Sequence, residues 1–405
     1  EKVSRGKGNR IPAQSAQGLF NVDGVQEVFE KKIGPGLEAP LAPSFAPFIV
    51  AAPTAGQHQG VAFVATHPFV ASTSYTPATL TSFLFAGSNS ARNWFEYISG
   101  YVPGRRGFSI NGFVTREYTI NTNQPAANCA QLIGNEWRVD IDNQGEAEGI
   151  SKWDKQLRIY LFSGMTDCDF SAGATVRTLG DSGAITAVFM QLPTSGSQAA
   201  LNSKFKTLIH ELEHALGIAG HANGQQCEGC TIEDTIDNGD PMGATSIVPL
   251  NNVINFFKLG FNQRQKMYPA METRGTYQIR LHSIAKTLAL PRTRNYAVAA
   301  FVPLRDMAGN LTGKALVISG ARPRATETDV MDVFGSDVLA YTKGPSLHLV
   351  DLDLASSFTS SIIQDATPGT SCCKDAPLVP DASGFAAWAS SLYGVTVTAG
   401  IPFNN

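Results

Sequence analysis

Three histidines, a glutamate and a glycine recur at fixed spacing in His210-Glu211-Leu212-Glu213-His214-Ala215-Leu216-Gly217-Ile218-Ala219-Gly220-His221, the pattern H-E-x-x-H-x-x-G-x-x-H. On a helix, His210 and His214 project from one face a turn apart, so both imidazoles can meet one metal ion. Gly217 tolerates left-handed backbone, which ends the helix and turns the chain. His221 then returns as a third ligand. Three protein ligands leave a fourth position open, the arrangement of a catalytic zinc site and not of a closed structural one. Glu211, beside the first ligand, stands where it can act as general base on a water at that position. With 7 histidines and 38 glycines in 405 residues, chance assembly of the five fixed positions is roughly 2 × 10⁻⁵ per chain.

The elements that must hold these residues can be read outward from the motif. Residues from about Gln198 to Leu216 form a helix. On it Leu201, Phe205, Leu208, Ile209, Leu212, Ala215 and Leu216 share one arc of about 120°. The histidines lie opposite, among small polar residues that suit the floor of a cleft. Upstream, Gly60–Thr66, Phe108–Ile120, Leu157–Phe162 and Ala184–Met190 read as strands and Asn89–Ser99 as a helix. A Gly-, Asp- and Cys-rich loop follows the motif to about 245, then a helix near Val248–Leu259. Beyond about 272 helical periodicity fades. Tyr277–Leu281, Tyr296–Val302, Ala315–Ser319, Val338–Tyr341, Ser346–Asp351 and Gly394–Thr398 read as strands of a sandwich-like module. Residues 1–57 carry a basic tip and recurrent prolines, and read as an N-terminal arm or pro-segment remnant. The expected organisation is this arm, an α+β domain over 58–270 (a twisted mixed sheet with the motif helix), and a β-rich domain over 271–405.

Composition narrows the function. Hydrophobic residues are 43% of the chain, enough for a buried core. Lys and Arg number 31 against 34 Asp and Glu, so no basic field attracts nucleic acid. No apolar run approaches the ~18 residues of a membrane span. The chain begins at Glu1 without Met, which suggests that a leader has been removed. Six cysteines (Cys129, Cys168, Cys227, Cys230, Cys372, Cys373) fit disulfides, reduced thiols or a second metal site. Asn310-Leu311-Thr312 is a glycosylation sequon, compatible with a secreted glycoprotein. Glu228, Glu233, Asp234, Asp237 and Asp240 form an acidic stretch that is either a solvated loop or a calcium site. Gly180-Asp181-Ser182-Gly183 and His67 mimic parts of a serine peptidase, but the long helix does not fit that architecture.

The motif resembles that of the metzincin metallopeptidases, which carry a Met-containing turn beneath the zinc. Asn238-Gly239-Asp240-Pro241-Met242-Gly243 matches it, with Met242 as the turn methionine packing under the histidines. Within that group the chain looks most like the gametolysin family. The likeness rests on Cys129 preceding Trp137, on Cys168-Asp169-Phe170-Ser171-Ala172-Gly173, on the Met turn before Leu259-Gly260-Phe261, and on Gly394-Val395-Thr396-Val397-Thr398. It covers about 60–270 well and 271–405 loosely. Two departures stand out. No Tyr lies just after Met242, leaving Tyr268 as a remote counterpart, and no Cys precedes Cys129 to act as a latency switch in the arm.

The resemblance implies a secreted, extracellular zinc endopeptidase. Its substrate would be a protein or peptide, such as a matrix or cell-wall glycoprotein. One catalytic Zn²⁺ would sit on His210, His214 and His221, with metal-activated water and Glu211 as base. It also implies disulfides, Cys129–Cys168 first among them, with the partners of Cys227 and Cys230 left open between each other and Cys372–Cys373. A metzincin of another branch and a non-catalytic matrix or adhesion protein with the same fold are the alternatives.

Overall fold

Apolar segments and turn signals sort the described residues into two sheets and a hairpin. A computed structural model describes residues 56–104, 107–123, 133–150, 157–164, 168, 171–174, 186–218, 220–237, 239–243, 250–261, 265–268, 276–277, 279–282, 287, 296–320, 344–351, 361–366, 377–379 and 385–400. Residues 1–55 of the expected arm, the strand expected at 338–341, and Cys129, Cys372 and Cys373 lie outside them.

The first sheet holds β1 (Gly56–Thr66), β2 (Phe108–Thr119), β3 (Leu157–Phe162), β4 (Ala172–Ala174) and β5 (Thr186–Gln191). Their order is β2-β1-β3-β5-β4. β1 runs parallel to β2 and β3, and β3 parallel to β5, whereas β4 is antiparallel, so the sheet is mixed. Central parallel strands are covered on both faces and read as unbroken apolar runs, as in LRIYLF of β3. Val61, Phe63, Tyr160 and Phe162 face one core with Trp137 and Ile141. Ala62, Val64, Ile159 and Leu161 face the other, with the motif helix.

Among the described residues the α-helices are α1 (Pro77–Thr81), α2 (Ala91–Ser99), α3 (Arg138–Ala147), α4 (Gln198–Ser203), α5 (Phe205–Ala215) and α6 (Val253–Lys258). The Ser90 side chain caps α2 by accepting from Asn93 N, and Gly100 ends it in left-handed backbone. α3 has little apolar periodicity, and sequence reading leaves it without a helix. Polar contacts fix it instead: buried Asp142 accepts from Arg158 at 2.6 Å and from the Tyr160 hydroxyl at 2.7 Å.

The expected single helix over 198–216 is two helices, interrupted at Lys204. The helix expected from Val248 starts only at Val253, where Asn252 Oδ1 caps it by accepting from Ile254 N and Asn255 N.

The second sheet holds β6 (Asn223–Gln225), β7 (Ile232–Glu233), β8 (Gln265–Tyr268), β9 (Tyr296–Arg305), β10 (Leu311–Ser319), β11 (Ser346–Asp351) and β12 (Ile362–Gln364). Its order is β7-β6-β12-β11-β10-β9-β8. The described residues of Tyr277–Leu281 form no strand. One face packs Val298, Phe301, Val317 and Val350 on Val253 and Ile254 of α6. Over the other face lies the hairpin of β13 (Phe385–Ser390) and β14 (Val395–Gly400), which sets Trp388, Val395 and Val397 against Leu316 and Leu347. Among the described residues the β-rich part is one seven-stranded sheet capped by a hairpin. It also draws β6 and β7 from the segment just after His221, so the sheet takes strands from both sides of residue 270. The molecule is α+β. No helix among the described residues is long and apolar enough to cross a membrane.

Candidate metal centre

α5 carries the motif as its periodicity requires. Leu208, Ile209, Leu212 and Ala215 are buried in the main core, while His210 and His214 stay half-buried on the opposite side. The helix ends at Ala215, and Gly217 adopts φ +114°, a conformation that L side chains rarely take. The chain reverses there and brings His221 back. One ligand atom from each of His210, His214 and His221 lies within 4.8 Å of the other two.

Each ring is held through its Nδ1. His210 Nδ1 is 3.0 Å from the Pro241 carbonyl, and His214 Nδ1 is 2.5 Å from the Ile218 carbonyl. His221 Nδ1 is 3.0 and 3.1 Å from the Asp234 carboxylate oxygens. Anchoring Nδ1 fixes the tautomer and leaves Nε2 as the ligand atom. Burial, and then the Lys206 ammonium, push His210 down to about 3. Burial also lowers His214. Both rings are therefore neutral, the form that binds metal. Three imidazoles held in this way fit a zinc-type ion, and the acceptors behind them are what such a site needs.

Glu211 is buried, and burial pushes its carboxyl up to about 7, against the pull of Lys206. A carboxyl poised there matches a general base working near neutrality. Glu213 is fully buried, and burial followed by the Asp240 charge raises it well above the carboxylate range. Its Oε1 accepts from Asn251 Nδ2 at 2.8 Å.

Met242 is fully buried in the core that also takes Leu208 and Leu212. Its turn is built by Asp240, whose Oδ1 accepts from Met242 N at 2.8 Å and from Asn255 Nδ2 at 3.0 Å. Lys206 Nζ donates to the Gly243 carbonyl at 2.5 Å, tying the start of α5 to the same turn.

The five acidic residues do not converge. Asp234 serves His221. Glu228 accepts from Ser390, Ser391 and Leu392 on the hairpin. Asp237 and Asp240 are buried in a polar network with Asn252, and Asp237 Oδ2 is 3.1 Å from His348 Nε2 on β11. Among the described residues the histidine trio is the one group placed to hold a metal.

Cys227 and Cys230 bond to each other, which resolves that pairing, and Cys168 is also disulfide-bonded. Asn310 is exposed in the turn between β9 and β10, where its Nδ2 donates to Asp306 Oδ2 at 3.0 Å. His67 is fully buried beside Trp137, while 180–183 lie outside the described residues. Tyr268 falls on β8.

Sequence reading missed Asp234 as an orienting group, because a carboxylate behind a ligand has no fixed spacing from it. Asp234→Ala is expected to weaken metal binding about tenfold, the low end of the usual range because the side chain is 66% exposed. Competition with a chromogenic chelator measures this. Unchanged affinity would remove Asp234 from the site.

No protein-family model matches the chain, and no curated protein matches it. Among solved structures, wild-type OgpA from Akkermansia muciniphila is similar with a TM-score of 0.32 and 10% identity, over 77% of this chain and 94% of that one. Likeness at that level bears on neither fold nor function.

Proposed function

We propose that this protein is a secreted zinc-dependent endopeptidase of metzincin type, acting on proteins of an extracellular matrix or cell wall. The observation that carries the reading is the meeting of His210, His214 and His221, each with Nδ1 already engaged, beside a buried glutamate. The Met turn that supports His210 through Pro241 agrees with it. The resemblance in motif supplies the metzincin and gametolysin assignment and the substrate class.

A zinc ion bound there would act as a Lewis acid toward a substrate carbonyl and its attacking water. The chain's own groups do the rest. The three Nε2 atoms would hold the ion, and Pro241, Ile218 and Asp234 keep the rings oriented for it. Glu211 Oε takes the proton of the attacking water and returns it to the leaving amine.

The test is cleavage of an unfolded generic protein by the full chain. A chelator should abolish it, zinc should restore it, and a serine-directed acylating reagent should leave it intact. Cleavage that survives metal removal, or no cleavage by zinc-loaded protein, would refute the reading.

A further inference from the structure

His221 is held differently from the other two ligands. His210 and His214 are anchored on the carbonyls of Pro241 and Ile218, whereas His221 relies on the Asp234 carboxylate, which is itself 66% exposed. Asp234 is kept in place by its own stretch of chain, 222–237, which forms a hairpin. At its base, Asp237 N donates to the Ala222 carbonyl at 3.0 Å. β6 and β7 then pair at two positions, Gly224 with Glu233 and Gln225 with Ile232. At its tip, the Cys227–Cys230 disulfide joins the chain just beyond β6 to the chain just before β7.

β7 adds little hold of its own. It is an edge strand and both its residues are exposed, so little apolar burial anchors it. Thr235, next to Asp234, adopts φ +58° and is the one non-glycine residue with positive φ among the described residues. A β-branched residue is strained there, and such backbone persists only where its surroundings impose it. One constraint is the Asn223 side chain, whose Oδ1 accepts from Thr235 N at 3.1 Å. The tip supplies the others. Cys230 N donates to the Cys227 carbonyl at 2.9 Å, and Gln225 Nε2 donates to the Cys230 carbonyl at 2.6 Å. Glu228, between the cysteines, fastens the tip to Ser390, Ser391 and Leu392.

Cys227 is exposed and Cys230 half-buried. A disulfide within reach of solvent is the kind that thiols exchange with. We propose that the Cys227–Cys230 disulfide is a redox switch on the histidine centre. Closed, it holds Asp234 behind His221. Opened by a dithiol, it frees β7, Thr235 leaves its strained backbone, and the third ligand loses its orienting partner. One thiolate of the dithiol attacks Cys227 Sγ, the Cys227–Cys230 bond breaks, and Cys230 leaves as thiolate. The second thiolate attacks the mixed disulfide and releases Cys227. The protein gains two electrons and two protons, and the reagent becomes a disulfide. The switch rests on the metal-centre reading and not on peptidase activity.

The experiment measures zinc affinity of the full chain by chelator competition, with no protein substrate present. The oxidised chain is compared with chain treated with graded dithiothreitol, capped with iodoacetamide and freed of reagent. Peptide mapping by mass spectrometry reads which cysteines are capped. Cys227 and Cys230 should be capped at a lower dithiol concentration than Cys168, which packs against the Trp137 core. Chain capped at that concentration should bind zinc about tenfold more weakly, the loss usual when the partner behind a ligand is removed. C227S/C230S should show the same loss with no reagent, and D234A should lose nothing further on reduction. Amide exchange should quicken over 222–237 and not over α5. Equal zinc affinity in the oxidised, capped and C227S/C230S chains overturns the proposal. So does a pair that stays closed until the Cys168 disulfide opens, or a further tenfold loss on reducing D234A. An oxidised chain that binds no zinc overturns the metal-centre reading itself, and the switch with it.

Discussion

Glu211→Gln is expected to lower cleavage by roughly 10²–10⁴-fold while leaving the metal in place. The separation of the two effects is the point. Glu211 follows the first ligand directly, yet the grouping that can hold an ion consists of histidines alone. Glutamine keeps the shape and polarity of the side chain and loses only the ability to take a proton. The side chain is buried beside His210, and burial is the main cause of its raised pKa, up to about 7. A group desolvated to that degree has left water for a reason other than solubility. Steady-state cleavage, with metal content measured on the same sample, reads both quantities. A variant that kept most of its activity would show that the base lies elsewhere. One that lost its metal would make Glu211 part of the cage.

Asp240→Ala is expected to cost about 3–5 kcal/mol of stability and to release the metal with it. Asp240 is fully buried and accepts three hydrogen bonds: from Met242 N, from Asn252 N at 2.5 Å and from Asn255 Nδ2. Alanine leaves three donors unsatisfied in the interior, each costing about 1–3 kcal/mol before relaxation. The damage spreads by known contacts. The Pro241 carbonyl orients His210, and the Met242 carbonyl accepts from Ala222 N beside His221. Two of the three ligands therefore depend on the turn that Asp240 ties. Asp240→Asn keeps the volume and one carbonyl acceptor, and should lose about half as much stability. Urea unfolding curves of the two variants decide it. If Asp240→Ala unfolds with the native midpoint, the turn is not what holds the site together.

The parts of the site legible in the sequence are those fixed by local geometry. Helical spacing put His210 and His214 on one face, and Gly217 does take the left-handed turn. The apolar arc of α5 is buried, and β3 has the bounds its apolar run suggests. What the sequence hid depends on distant partners or on weak local signals. Asp237 meets His348 across 111 residues, and Asn252 meets Ser361 across 109. Nothing local in either segment announces the pairing. β6 is Asn-Gly-Gln, with no apolar residue to mark a strand, and only its alignment with β12 makes it one. α3 escaped notice because Asp142 and Gly145 are buried where apolar residues would be expected, one against Arg158 and the other against the Phe63 ring. At Lys204 the residues on both sides suit a helix, and the interruption has no local cause that the sequence displays.

X-ray absorption at the zinc edge, on the full chain purified without added metal, addresses the histidine centre most directly. The expected spectrum is one zinc per chain with three imidazole nitrogens at about 2.0 Å and one further light ligand. A chain that takes up no zinc, or a spectrum dominated by sulfur ligands at about 2.3 Å, would contradict it.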